Sequence, residues 1–240
     1  MTEEDVKSSL PYQRLKDEFD RFFHAVSHDF NAPLRHIREF HNLLLESLGD
    51  KASDKEKQYI AIIQQSTGHM QAMLDALQEI TQLCRQPMEI KCLKPRNVLT
   101  EAIAPYQPHI DATGLQIDIA DSLPPVKADT ELLRRVFFEI IGNSLMFRNP
   151  QAAPPTLTIS GEKKGSTCRL AFADNGIGIA RSFLPDAFTI FRKQHTAAHH
   201  EGMGTGLTLC QTILRNLGGN IWLESESGKG CTVWVELPTC

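Results

Sequence analysis

From Phe19 onward, apolar residues recur at spacings that alternate between four and three: Phe19, Phe23, Val26, Phe30, Pro33, Ile37, Phe40 and Leu44. An alternation of this kind, held over several turns, is the a/d seam of a helix in a coiled-coil-like bundle, and it predicts one long helix over about residues 13–48. Gly49-Asp50 breaks the pattern. Ser53 or Asp54 is placed to cap a second helix over 54–84, with Glu56 or Lys57 in its first turn. That helix has a seam of its own: Tyr59, Ile63, Ser66, Met70, Met73, Leu77, Ile80 and Cys84. A hairpin with one apolar stripe per helix cannot bury both stripes well alone. A homodimer of hairpins, closing into a four-helix bundle, is therefore expected. A plain structural coiled coil would carry the same pattern.

The texture changes at Gln86-Pro87, which divides the chain into a helical domain, 1–86, and a second domain, 90–240. The second mixes short strands with helices. Helices are expected over 93–104, over 128–147 with Asp129 at its start, and over 204–217 with Gly218-Gly219 at its end. Strands are expected over 115–119, 156–160 and 168–173. A hairpin over 221–237 turns at Ser227-Gly228-Lys229-Gly230. The fold class is thus a helical hairpin followed by an α/β sandwich.

Composition narrows the function. The chain has 240 residues, 41% hydrophobic and 22% charged, the balance of an ordinary globular protein. A net charge of -4 leaves no basic footprint for nucleic acid. No apolar run reaches the roughly 18 residues of a membrane span, and the acidic, polar N-terminus has no signal-peptide core. Cysteines 84, 92, 168, 210, 231 and 240 are scattered without CxxC spacing. They are expected to be reduced thiols of a cytoplasmic protein, forming neither a disulfide frame nor a zinc site.

Four segments could carry chemistry. With Phe23 and Phe30 at a, and Val26 and Pro33 at d, His28 falls at f, opposite the seam, with Asp29 beside it at g. The register therefore makes His28 a surface residue and not a core one. Pro33 removes the N–H that would bond to the Asp29 carbonyl, so a bend is expected there. Asp174-Asn175-Gly176-Ile177-Gly178-Ile179 ends an expected strand. Its carboxylate can accept from an exocyclic amine, and its glycines let backbone approach a flat ring. An ordinary Asn-Gly turn would look the same. Gly202-Met203-Gly204-Thr205-Gly206-Leu207 opens a helix, where backbone amides attract phosphate. No Gly-Lys-Ser/Thr follows, so it is not a Walker A loop. Glu139 and Asn143, four apart on one helix, face the same way. Two oxygen-bearing side chains so placed suit a Mg²⁺ that also holds phosphates, though two solvated polar residues would show the same spacing.

Taken together and in this order, the segments resemble those of a sensor histidine kinase of two-component signalling. Residues 27–34 look like its H box, 129–147 its N box, 174–179 its G1 box, 188–192 its F box and 202–207 its G2 box. The run His28-Asp29-Phe30-Asn31-Ala32-Pro33-Leu34-Arg35 is most similar to the phytochrome-like branch. The resemblance implies a GHKL-type sandwich that binds Mg-ATP. Asp174 would hold the adenine amine, with Gly176 and Gly178 bordering the base. Gly202, Gly204, Gly206 and Leu207 would lie at the phosphates, and Arg192, Lys193 and His195 would be their charge partners. Asn143, with Glu139, would hold Mg²⁺. His28 would be the phosphoacceptor, mostly neutral at pH 7 with an ordinary pKa of about 6.5, and Asp29 would take up its proton. The phosphoryl group would pass to an aspartate on a response regulator receiver domain, and an upstream sensor domain would supply the signal. Three residues depart from the family pattern. Glu139 stands in the place of an Asn and Met146 in the place of a Lys, which implies weakened ATP binding or slow phosphorylation. Ala32 lies where kinases with phosphatase activity carry Thr or Asn, which implies weak phosphatase activity, with Asn31 as a partial substitute. These departures leave two alternatives. One is a degenerate kinase serving as a phosphotransfer scaffold or adaptor; the other is a GHKL-type ATPase with Glu139 as general base.

Overall fold

The computed structural model describes residues 10–49, 52–83, 87–149, 154–194 and 202–240. It forms two compact units that divide between Arg85 and Gln86.

The first unit is a hairpin of α1 (Leu10–Leu48) and α2 (Asp54–Leu83). The expected cap is a reciprocal box. The Ser53 amide donates to Glu56 Oε2 at 2.7 Å, and the Glu56 amide donates to Ser53 Oγ at 3.3 Å. Helix α1 runs through Pro33. Within one hairpin the two helices meet beside the a/d stripes. Leu34 and His41 on α1, each 5% exposed, lie seven residues apart. Ile60, Thr67 and Leu74 on α2 repeat that period and are buried as well. His41 Nε2 sits 3.1 Å from the Ile60 carbonyl oxygen. Much of the a/d stripe stays outside this contact: Phe30, Ile37, Phe40 and Leu44 on α1 and Tyr59, Ile63 and Met70 on α2 are exposed, Phe40 to 70%. The hairpin closes on the neighbouring e-type positions and leaves its most apolar stripe on the surface. Phe19, Phe23, His28 and Ser27 lie on α1, but their side chains are outside the described set, as is the whole of Cys84.

The second unit opens with β1 (Lys91–Leu93), α3 (Pro95–Ile103), α4 (Gln107–Thr113), β2 (Gln116–Ile119) and β3 (Val126–Ala128). It continues through α5 (Thr130–Met146), β4 (Thr156–Lys164), β5 (Thr167–Asp174), α6 (Gly206–Asn216), β6 (Asn220–Ser225) and β7 (Cys231–Pro238). Asp129 caps α5, with Oδ1 accepting from the amides of Glu131 and Leu132 at 3.0 and 3.2 Å. The main sheet has the order β2-β4-β5-β7-β6; β2 runs parallel to β4 and the other pairs are antiparallel. Along β7, Val233, Val235 and Leu237 are buried while Thr232, Trp234 and Glu236 are not, so only one face of the sheet is covered there. On the covered side Phe137 of α5 meets Phe172 of β5 with ring centroids 5.4 Å apart.

The cysteine expectation is corrected here. Cys92 on β1 and Cys240 form a disulfide. The fold joins them because β1 pairs antiparallel with β3, and Val126 of β3 bridges to Thr239. Among the described cysteines, Cys168, Cys210 and Cys231 remain thiols. The bridge closes a sequence separation of 148 residues. Its reduction should lower the unfolding free energy by about 2–5 kcal/mol. Urea midpoints with and without dithiothreitol measure this, and equal midpoints would contradict it.

Candidate active site

Asp174 is the last residue of β5, paired with Leu157 of β4 and Cys231 of β7. Its Oδ1 accepts from the Gly176 amide at 2.9 Å and the Cys231 amide at 3.1 Å. Oδ2 has the buried Ser144 hydroxyl of α5 at 3.4 Å. One oxygen is thus fixed by backbone, and the residue lines a cleft. Burial raises the Asp174 pKa above its ordinary value, against the opposing hydrogen bonds from Gly176, Cys231 and Ser144. Burial and then the Asp174 charge push the Cys231 thiol up to about 12, so it is a protonated wall of the cleft.

The sign of the Asp174 shift sets a pH dependence. The folded chain holds the Asp174 proton more tightly than the unfolded chain does. That contribution to stability is complete below the ordinary pKa of 3.8 and is lost as pH rises through the raised folded value. The wild-type protein, without nucleotide, should therefore lose stability over that window relative to Asp174→Asn. Parallel pH titrations of the two urea midpoints check this; superimposable curves would contradict it.

The loop after Asp174 is anchored on both sides. The Ile177 amide donates to the Phe147 carbonyl at 2.9 Å, and the Ile179 amide to Ser225 Oγ at 2.8 Å. Gly178 has φ +67, and a Cβ there would collide with the Glu226 carbonyl. Gly178 lines the cleft, whereas Gly176 does not. Gly176 acts instead through its amide on Asp174, and its missing Cβ leaves room for the Phe147 carbonyl.

Helix α5 presents Glu139, Asn143, Ser144 and Met146 to the same cleft. The N-terminus of α6 faces them through Gly202, Gly204, Gly206 and Leu207, with Arg192 and Lys193 alongside. His195 lies outside the described residues. The helix starts at Gly206, two residues later than expected, because Gly204 takes φ +70. Phe191, at φ 63, donates its amide to the Gly204 carbonyl at 2.9 Å. Gln194 Oε1 accepts from the Ala180 amide at 2.8 Å, which ties this segment to the Asp174 loop. Met146 packs towards Gly202, its Cε 3.4 Å from where a Cβ would stand.

Glu139 is engaged on two sides. Its Oε1 pairs with Arg135 Nη2 at 3.0 Å, and its Oε2 lies 2.5 Å from the position of a Cβ at Gly206. Burial first and the Glu139 charge second push the Tyr106 hydroxyl up to about 12. Among the described residues no group of three or more His, Cys, Asp or Glu side chains could hold a metal alone. A buried acceptor, a close-approach glycine and a helix amide end in one cleft fit an adenine nucleotide.

Ser144, Cys231, Gln194, Ser225 and Arg135 escape the sequence reading. Ser144 left a trace, as a polar residue four after Ile140 on a buried face. Arg135 pairs with Glu139 one turn away, and Cys231, Gln194 and Ser225 gain their roles from neighbours distant in sequence. Asp29 is exposed on α1.

Comparison with known proteins defines the class. Residues 20–83 match the His Kinase A (phospho-acceptor) domain, and residues 128–240 match the histidine kinase-, DNA gyrase B-, and HSP90-like ATPase domain. The two matches together take in most of the chain, and the chain belongs to the histidine kinase family. It is 28% identical over 236 residues to the phytochrome-like protein Cph1 of Synechocystis, covering 98% of this chain and 31% of that protein. It is also 28% identical to the methanogenesis regulatory histidine kinase FilI of Methanothrix harundinacea, covering 92% of this chain and 25% of that one. The chain thus spans about a third or less of the length of these relatives. Its fold matches full-length ShkA in complex with AMPPNP, with a TM-score of 0.64 and 23% identity, over 92% of this chain and 46% of that one. It matches ThkA in complex with the response regulator TrrA equally, at 0.64 and 16% identity, over 95% and 65% of the two chains. No helix of the described residues is long and apolar enough to cross a membrane.

Proposed function

We propose that this chain is the catalytic core of a two-component sensor kinase, which phosphorylates His28 from Mg-ATP and passes the phosphoryl group to an aspartate of a receiver domain. The observation that carries the nucleotide half is Asp174, a buried carboxylate locked at one oxygen by two backbone amides in the wall of a glycine-lined cleft. It accepts from the adenine amine, and Gly178 lets the base lie close to backbone. The amide end of α6, with Arg192 and Lys193, takes the phosphates. Asn143 would hold Mg²⁺ together with those phosphates, and the ion would supply charge neutralisation for the transferring group.

A ring nitrogen of His28 attacks the γ-phosphorus in line, a nitrogen–phosphorus bond forms and the bond to the ADP oxygen breaks. Asp29, the next residue on α1, takes up the imidazole proton. The exposed stripes of α1 and α2 pair with those of a second copy, and a sensor domain outside this chain sets the activity. The ThkA–TrrA complex supports a receiver domain as the phosphoryl acceptor.

A degenerate kinase that serves as a phosphotransfer scaffold is the second reading. It is favoured by Met146, whose apolar side chain packs towards the Gly202 loop where the family's lysine is expected. An ATPase using Glu139 as base is the third, favoured by the place of that carboxylate in the lining of the cleft. Incubation with γ-labelled Mg-ATP separates them. Acid-labile label on the protein supports the kinase, bound ATP without label supports the scaffold, and released phosphate without label supports the ATPase.

A further inference from the structure

The sequence offers Glu139 two roles, metal ligand and general base. Its surroundings point to a third. Arg135 and Glu139 lie one turn apart on α5, and the pair occupies one carboxylate oxygen at 3.0 Å. The other oxygen reaches across to Gly206, the first residue of α6, and lies 2.5 Å from where a Cβ would stand. Thr205, the N-cap of that 11-residue helix, makes no side-chain cap hydrogen bond. The positive end of α6 therefore meets a carboxylate supplied by the protein itself. The side chain of Glu139 is 20% exposed and that of Arg135 is 40% exposed, so the charges are partly shielded from water.

We infer that Glu139 is a built-in competitor of the nucleotide's phosphates for the amide end of α6, and that Arg135 sets how strongly it competes. The inference rests on the reading of the cleft as a nucleotide site. Two anions cannot share one helix end without repulsion. An arriving polyphosphate must displace the carboxylate, and Arg135 compensates Glu139 once it has moved. Arg135 is thus a positioning residue, acting on nucleotide only through Glu139.

Equilibrium titrations of ATP and of adenosine test this, each in EDTA and again in Mg²⁺. Glu139→Gln keeps the shape and removes the charge. It should bind ATP about three- to thirtyfold more tightly than wild type in EDTA, with adenosine affinity unchanged because adenosine carries no phosphate. Unchanged adenosine affinity also reports that the variant is folded. Arg135→Gln should weaken ATP binding, and the double variant should match Glu139→Gln. Unchanged or weaker ATP binding by Glu139→Gln in EDTA overturns the inference, as does weaker binding that appears only in Mg²⁺, the sign of a metal ligand. If wild type and every variant bind neither compound, the nucleotide reading falls and this inference with it. If wild type binds ATP and the variants do not differ from it, this inference alone falls.

Discussion

Asp174→Asn should lower ATP affinity by about a hundredfold, close to 3 kcal/mol, with little change in fold. The amide oxygen of Asn can still accept from Gly176 and Cys231, which hold Oδ1 in the native chain at 2.9 and 3.1 Å. Its NH₂ group then replaces Oδ2 and sets a donor against the adenine amine, itself a donor. A group built to accept that now donates costs more than a missing contact, because the amine stays unpaired in a buried place. Isothermal titration with ATP measures the effect. Equal affinities for wild type and variant would contradict the adenine assignment of Asp174.

Phe137→Ala should destabilise the second unit by about 3–5 kcal/mol. Phe137 is fully buried and stacks at a tilt on Phe172 of β5, so truncation leaves a cavity between α5 and the sheet. The consequence reaches the site. The same helix carries Glu139, Asn143 and Ser144, and the same strand ends in Asp174. The variant should also bind ATP less well at temperatures where it is still folded. Urea denaturation reads the first effect, and a loss below about 1 kcal/mol would show that α5 does not rest on this contact.

Much of the site was legible in the sequence because its residues sit in short, contiguous patterns. Asp174 and Gly178 share one loop, Gly204 and Gly206 another, and Glu139 and Asn143 share a helix face. What escaped was set by tertiary neighbours. Arg135 reads as one more exposed charge until Glu139 is seen to point at Gly206. Cys231 reads as a stray thiol until β7 is laid beside β5 and its amide meets Asp174. The Cys92–Cys240 disulfide joins residues 148 apart through β1 and β3, each only three residues long and too short for a periodic signal.

The hairpin teaches a different lesson. Its apolar period gives two helices and a stripe on each that one hairpin cannot bury. The contact within one hairpin uses Leu34, His41, Ile60, Thr67 and Leu74, of which His41 and Thr67 are polar. A polar residue satisfied across the hairpin, as His41 is by the Ile60 carbonyl, costs little to bury. The more hydrophobic stripe, with Phe40 and Tyr59 at 70% and 61% exposure, stays at the surface, where the proposed dimer would use it.

In the proposed reaction His28 accepts the γ-phosphoryl group of ATP bound at Asp174. Incubation of wild type, His28→Gln and Asp174→Asn with γ-labelled Mg-ATP, followed by acid and alkali treatment, tests it most directly. Wild type should carry alkali-stable, acid-labile label, His28→Gln should bind ATP normally yet carry none, and Asp174→Asn should fail at binding. Label of undiminished intensity on His28→Gln would contradict the account.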